Sequence, residues 1–391
     1  MKLLVIGSGM MGSAAAYDMA AQEQVEAVTL ADSDKKRLAD AVKRINKLAG
    51  GRKVRGVVLD AAKEAAVKKL MKQHDGALSC VPYFFNEKLC RAAIAAGCHF
   101  ADLGGNNTVV KKEFALAKKA AKKGVKIAPD CGLSPGMASI LAGELMRRVG
   151  GQADALKIYV GGLPQWPKPP FNYQLVFSVE GLINEYVEPA KVLRNGKITT
   201  ITPLSEAEIF DVEGFPKLQA FHTSGGTSTL PETYQGKVGE CFEKTLRYPG
   251  HLAMIRGLYD LGLFSSEKRK IGKVEIAPRA LTSALLCEKL AGDDPDLVIL
   301  RVEAHAGGQV SAFTVFDDYD AKTKMTAMMR TTAWPASVVL QMMVSGEITK
   351  RGGVRQELDV PADHFVDEMR KRGVEIKFST ETAAQKAPTT A

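Results

Sequence analysis

Short apolar runs recur through the first third of the chain: KLLVIG (2–7), EAVTLAD (26–32), VRGVVLD (54–60), GALSCVP (76–82), HFADLG (99–104) and VKIAPD (125–130). They are rich in Val, Ile and Leu with little polar alternation, which is the pattern of parallel strands buried on both faces. Between them, hydrophobic residues return at helical spacing. In DSDKKRLADAVKRINKLAGG, Leu38, Ala41, Val42, Ile45 and Leu48 share one face, Ser33 is placed to cap the start and Gly50–Gly51 to stop it. A second helix near 86–96 lines up Leu89, Ala92, Ala93 and Ala96 and ends at Gly97, and a third ends at Gly124. Alternating strands and helices predict an α/β domain, a Rossmann-type doubly wound parallel sheet.

The pattern changes after DCGLSPGMASILAGELMRRVGG, where Ser134 and Pro135 look like an N-cap and first helical position. From about 155 to 250 the chain is richer in Gly, Pro and Thr. LKIYVGG, NYQLVFS and KITTITP predict antiparallel strands. GHLAMIRGLYDLGLF and the stretch 280–291 predict helices, and DLVILRVEAHAG with SAFTVFDDYD predicts a strand pair. A further apolar helix is expected to start near Pro335 in TTAWPASVVLQMMVSGEI, then a helix and short strand in DHFVDEMRKRGVEIKF. The implied organisation is a dinucleotide-binding domain of 1–133 plus about 325–380, an inserted α+β substrate and dimerisation domain of 134–324, and a disordered tail of 381–391.

With 391 residues, 46% hydrophobic and 25% charged, the chain has the makings of a globular protein with a large core. No window approaches the roughly 18 uninterrupted apolar residues of a membrane span, and MKLLVIG runs straight into a strand, so a cytoplasmic protein without a membrane partner is expected. The net charge of +9 comes from scattered residues. The cluster KKAAKKG (118–124) fits the wet face of a helix, and no aromatic-interleaved basic stripe points to nucleic acid. The six cysteines lack CxxC spacing and nearby histidines, so reduced thiols and no metal site are expected.

Gly7, Gly9 and Gly12 spell GxGxxG between the first strand and first helix. That placement suits a pyrophosphate at a helix N-terminus: a tight turn, a close backbone approach and close helix packing. Asp32 ends the second strand 20 residues beyond Gly12, where a carboxylate accepts ribose hydroxyls and repels a 2′-phosphate. NAD is therefore favoured over NADP, with Lys35, Lys36 and Arg37 as the counter-signal. The cofactor-binding candidates are Gly7, Ser8, Gly9, Met10, Met11, Gly12, Asp32 and Ser33, with the later strand ends Asp60, Cys80, Val81, Pro82, Asp102, Leu103 and Gly104. Asp60 and Asp102 have an equally good reading as ordinary strand-end acids.

VIGSGMMG (5–12), CVPYFFN (80–86), DCGLSPGMA (130–138), GGLPQWPKPPFNY (161–173), FSVEGLINEY (177–186), TSGGTSTLP (223–231), TLRYPGH (245–251) and MRTTAWPASVVLQMMVSGEI (329–348) together resemble the saccharopine dehydrogenase family over nearly the whole chain. The first motif is generic and the later ones are more specific. The resemblance implies a split dinucleotide-binding domain, an NAD(P)-dependent oxidoreductase acting on a C–NH bond, and a homo-oligomer, at least a dimer. The saccharopine-forming members carry an acid in GLDPG, whereas this chain has Ser134 in GLSPG. That departure favours the members that deaminate lysine at its ε-carbon.

Lysine's amine, with a pKa of about 10.4, arrives protonated, and oxidation needs that proton removed. His251 in RYPGH is the first candidate base and Asp130 the second; His251 reads equally as a structural histidine and Asp130 as a helix-start acid. Arg247, in the motif that resembles the family's substrate side, is the candidate carboxylate clamp. Tyr248, His222 and Thr223 are expected near the substrate, His305 and His364 are structural, and Trp166 covers a domain surface or subunit contact. Two other readings stay open: an imine-reducing enzyme of the same fold, and an NAD(H)-binding sensor or scaffold without turnover.

Overall fold

The computed structural model describes residues 1–211 and 216–382. The chain divides into two units, one of 1–140 with 317–374, the other of 141–316 with 375 onward.

The first unit is built on a seven-stranded, all-parallel sheet. From one edge its strands are Gly352–Gly353, Lys126–Ala128, His99–Asp102, Gly76–Ser79, Lys2–Ile6, Ala27–Asp32 and Val54–Val58. Every run expected from the apolar pattern is a strand. The side chains of all but the edge strand Val54–Val58 are mostly buried because helices cover the sheet: Met10–Ala21 packs on Ala327–Ser345, and Glu64–Met71 packs on Asn86–Ala96. Leu4, Ile6, Ala77, Phe100 and Ile127 join Leu89, Ala93 and Ile94 in one apolar cluster. The chain runs outward from Lys2–Ile6 through two strands, then returns to the other side of that first strand with Gly76–Ser79. This reversal is the switch point where doubly wound sheets hold ligands, and the glycine turn sits there.

The second unit is a nine-stranded mixed sheet. Its central path runs Glu208–Phe210, Leu218–His222, Val238–Arg247, Ala153–Pro164, Asp296–Ala306, Gln309–Asp318 and Glu375–Thr382, and Ala190–Arg194 with Lys197–Ile201 branches from Val238–Arg247. Ala153–Pro164 is parallel to Val238–Arg247 and antiparallel to Asp296–Ala306. One apolar cluster holds Tyr159, Leu163, Phe242, Leu246 and Tyr248. Another holds Tyr173, Leu182, Ile183, Tyr186, Phe221 and Ile255, drawn in part from the helices Val179–Val187 and His251–Asp260.

Several local expectations are corrected. Asp34, not Ser33, caps the second helix, its carboxylate accepting from the N–H groups of Lys36 and Arg37. Ser134 and Pro135 lie in a turn, and the helix begins at Met137. Pro335 lies inside the helix Ala327–Ser345, which starts eight residues earlier under a Thr326 cap. NYQLVFS forms no strand. The final strand Glu375–Thr382 does not stay with the first sheet; it pairs antiparallel with Gln309–Asp318 in the second. Residues 381 and 382 of the expected tail belong to that strand, and 383–391 lie outside the described residues. The division thus falls near 140 and 317, displaced from the 133 and 325 expected.

Candidate functional site

The glycine turn in the first unit divides its three roles by space. Gly7 has φ 103°, and a Cβ there would come 2.7 Å from the Cys80 carbonyl oxygen. A Cβ on Gly12 would lie 1.8 Å from the Gly7 carbonyl oxygen, so the helix can pack this close only without one. Around Gly9 nothing lies within 4 Å of a Cβ position. Gly9 caps the helix Met10–Ala21 without a side-chain hydrogen bond, so no capping side chain takes up the first-turn N–H groups. Met10 and Met11 stand in that first turn.

Asp32 is tied into the turn. Its Oδ2 accepts from the Ser8 backbone N–H at 2.7 Å and the Ser8 hydroxyl at 2.8 Å, and its Oδ1 from Asp34 N–H and Arg37. Burial opposes its ionisation, but these donors outweigh that and hold its pKa at about 2. This chemistry fits a dinucleotide: open backbone donors for a pyrophosphate, then a fixed anion where an adenosine ribose would lie.

The later strand ends differ among themselves. Asp60 is exposed and accepts from Ala62 N–H. Cys80, Val81 and Pro82 follow Gly76–Ser79 beside Gly7 and are partly open. Asp102 is fully buried. Its Oδ1 accepts from Gly104 N–H at 2.7 Å and Asp130 N–H at 3.3 Å, so it shapes its own loops and is not an available ribose ligand. Burial and the Asp102 charge push the neighbouring Glu113 carboxyl well up, so Glu113 keeps its proton. Leu103 and Gly104 are half-buried, and the Asp130 carboxylate presses against Gly104. Asp130 itself is buried with φ 61°.

In the second unit, strand alternation puts Glu243, Thr245 and Arg247 on one face of Val238–Arg247. Thr223 reaches the same row: its hydroxyl lies 3.1 Å from Glu243 Oε2 and 2.7 Å from the Thr245 hydroxyl. Arg247 is only 3% exposed. Its Nη1 donates to the Leu246 carbonyl, its Cζ lies 4.6 Å over the Tyr173 ring, and its Nε is buried without an acceptor. Glu185 on the helix Val179–Val187 places Oε2 3.9 Å from Arg247 Nη2, too far for a hydrogen bond. The Tyr186 hydroxyl faces the same guanidinium. Burial pushes the Glu185 carboxyl up to about 7 against the pull of Arg247, and burial with the Glu185 charge pushes Glu243 up to about 8.

His251 is corrected as the candidate base. It is fully buried, with Nδ1 2.9 Å from the Phe171 carbonyl and Nε2 2.9 Å from the Tyr186 hydroxyl. Burial and then the Arg247 charge push its pKa down to about 3. Both ring nitrogens are engaged, so its role is to position Tyr186 and the loop at Phe171. Tyr248 is likewise engaged, donating to the Pro164 carbonyl on the opposite face from Arg247. His222 is buried between the Glu243 carbonyl and the Glu206 carboxylate. The structure thus gathers Arg247 and Thr223, and adds Glu185 and Glu243, which the sequence reading did not single out. The alternating E-x-T-x-R of 243–247 is the signal that could have found Glu243; nothing local marks Glu185.

Two family descriptions match the chain: "Saccharopine dehydrogenase NADP binding domain" over residues 3–127 and "Saccharopine dehydrogenase C-terminal domain" over 132–374. The mouse mitochondrial alpha-aminoadipic semialdehyde synthase is 24% identical over 73% of the chain, but the match covers only 31% of that protein's length. The Schizosaccharomyces pombe saccharopine dehydrogenase [NADP(+), L-glutamate-forming] is 25% identical over 86% of the chain and 73% of its own. The solved apo structure of the Saccharomyces cerevisiae L-Glu-forming saccharopine dehydrogenase superposes with a TM-score of 0.78 over 97% of this chain and 99% of that one, at 19% identity. At that identity the likeness establishes the fold.

Proposed function

This chain belongs to the saccharopine dehydrogenase family, and on that premise we propose that it is an NAD-dependent lysine 6-dehydrogenase, an oxidoreductase acting on the CH–NH2 group of an amino acid. Lysine and water would give the 6-semialdehyde, closing to Δ1-piperideine-6-carboxylate, with ammonia and NADH. The observation that carries the amino-acid substrate is Arg247: a guanidinium almost wholly withdrawn from water whose Nε has no acceptor. A buried donor of this kind is costly unless a ligand completes it, and a carboxylate is its natural complement.

The cofactor assignment rests on Asp32. Its carboxylate stays ionised at all ordinary pH, and an anion at the end of this strand opposes a 2′-phosphate. The Schizosaccharomyces pombe relative and the matching domain description are named for NADP, so this preference is proposed as this chain's own. When bound, the nicotinamide supplies the hydride acceptor. The protein must hold the amino acid through Arg247, remove the proton from the reacting ammonium and keep the turn at Gly9 open for phosphates. With His251 engaged, Asp130 is the acid–base candidate carried forward. Exposed Leu261, Ile271, Val274, Leu281 and Leu285 in the second unit support the proposal of a homodimer, to be read by light scattering. No described helix is long and apolar enough to cross a membrane, and a cytoplasmic site of action is part of the same proposal.

The names of the relatives favour a second reading, an imine-reducing enzyme that joins an amine to a carbonyl compound, as saccharopine reductase does. The deciding experiment is NADH formation and ammonia release with lysine as sole amine, beside ornithine and diaminopimelate, each with NAD and NADP. NADH and ammonia from lysine with NAD is the expected result. Silence with every amine overturns it. Activity only with amine–oxoacid pairs and reduced cofactor establishes the second reading, and silence there as well leaves an NAD(H)-binding protein without turnover.

A further inference from the structure

Arg247 does not stand alone. The nearest opposite charge is Glu185, 3.9 Å away, with its side chain 31% exposed while Arg247 is 3% exposed. Two opposite charges this close inside a protein would ordinarily close into a short, multiply bonded pair, because only then is their desolvation offset. Here they stay apart, and the guanidinium keeps Nε free. The helix end that carries Glu185 is pinned from the other side, where Ser224 N–H donates to the Glu185 carbonyl at 2.9 Å. The main chain that carries Glu185 is therefore held in place beside Arg247.

The ammonium nitrogen and carboxylate of an α-amino acid are held about 3 Å apart by two bonds to one carbon. A guanidinium beside a carboxyl at 3.9 Å is the complement of that zwitterion once the carboxyl has ionised. We propose that Arg247 and Glu185 form a receptor for the α-amino-acid head group, Arg247 taking the carboxylate and Glu185 the α-ammonium. The inference rests on the reading above that the substrate is an amino acid, and it adds why the distal amine reacts: the α-amine is committed to binding.

The surroundings agree. Tyr173 beneath the guanidinium and Tyr186 beside it are pushed up by burial and stay neutral, and His251 behind Tyr186 is neutral too. Glu243 across the strand row holds its proton at neutral pH through burial and the Glu185 charge. Glu185 is then the carboxyl that ionises most readily in the cluster, and the charge of a bound ammonium favours its ionised form.

The test compares lysine with 6-aminohexanoate, which lacks only the α-ammonium, and with cadaverine, which lacks only the carboxylate. For the unmodified protein, kcat/KM should fall about 10- to 100-fold with either analogue, the size expected for losing one charged hydrogen-bonded group. Glu185→Gln should lower kcat/KM for lysine by a similar factor and leave 6-aminohexanoate unchanged within about twofold. Equal use of lysine and 6-aminohexanoate by the unmodified protein overturns the receptor while leaving the dehydrogenase standing. If no amine supports turnover, calorimetric titration of the protein with norleucine and with hexanoate decides it. Tighter norleucine binding supports the receptor, and equal or absent binding overturns it.

Discussion

Ser8 and Asp32 are joined twice: the Ser8 N–H and hydroxyl both donate to one carboxylate oxygen of Asp32, at 2.7 and 2.8 Å. The second strand thereby fixes the shape of the turn that follows the first. Asp32→Ala removes these two hydrogen bonds, those from the Asp34 N–H and Arg37, and the anion that opposes a 2′-phosphate. The expected result is a fall in kcat/KM for NAD and a rise of at least about tenfold in the NADP-to-NAD ratio, roughly 1.4 kcal/mol or more. Steady-state kinetics with both cofactors reads this directly, and an unchanged ratio would remove Asp32 from cofactor choice.

Gly9 and Gly12 should part company on mutation. Gly12→Ala sets a Cβ 1.8 Å from the Gly7 carbonyl and should lower the melting temperature of the protein by several degrees. Gly9→Ala meets no protein atom within 4 Å, so the melting temperature should hold while NADH affinity drops about tenfold or more. Calorimetry and NADH fluorescence on the two variants would show it.

His251 titrates in the folded protein only at about 3, whereas the unfolded chain takes up that proton near 6.5. The stability it contributes is present above about 6.5 and is lost as the pH falls towards 3. His251→Gln should therefore flatten the acid side of the stability profile, measured by urea unfolding between pH 7 and 4. Its kcat should fall through a misplaced Tyr186, with the pKa values of the rate profile retained. Loss of a limb from that profile would restore His251 as the base.

Glu243 has the opposite sign. Its folded pKa is raised to about 8 by burial first and then the Glu185 charge, while the unfolded chain releases the proton near 4.3. Its contribution is complete below about 4.3 and is lost as the pH rises through about 8. Glu243→Gln keeps the shape of the protonated group, so it should be about as stable as the unmodified chain at pH 6 and more stable at pH 9. Unfolding midpoints at the two values test this.

The first sheet was legible because its inner strands are buried on both faces and so appear as apolar runs, with glycines at the turns. The second unit was harder. Strand Ala153–Pro164 finds partners more than eighty residues away, and no local pattern announces that. Pro335 misled because proline marks helix starts more often than it sits inside a buried helix. Of the candidate site, the glycine turn and Asp32 were clear because their chemistry is local. Glu185 was hidden because an acid next to Tyr186 on a short helix has the look of a solvated face. Its meaning depends on Arg247, which the fold brings from sixty-two residues further on.

The return of the chain to the first sheet bears on how the protein is made. Helix Ala327–Ser345, which packs on the helix Met10–Ala21 and touches the strands Gly76–Ser79 and His99–Asp102, leaves the ribosome only after the whole inserted unit. Until then the strands that carry the glycine turn lack part of their apolar cover. During synthesis the nucleotide cradle is thus written before the inserted unit and sealed only after it. A slow step in the inserted unit would leave that half-covered sheet exposed to chaperones or to aggregation.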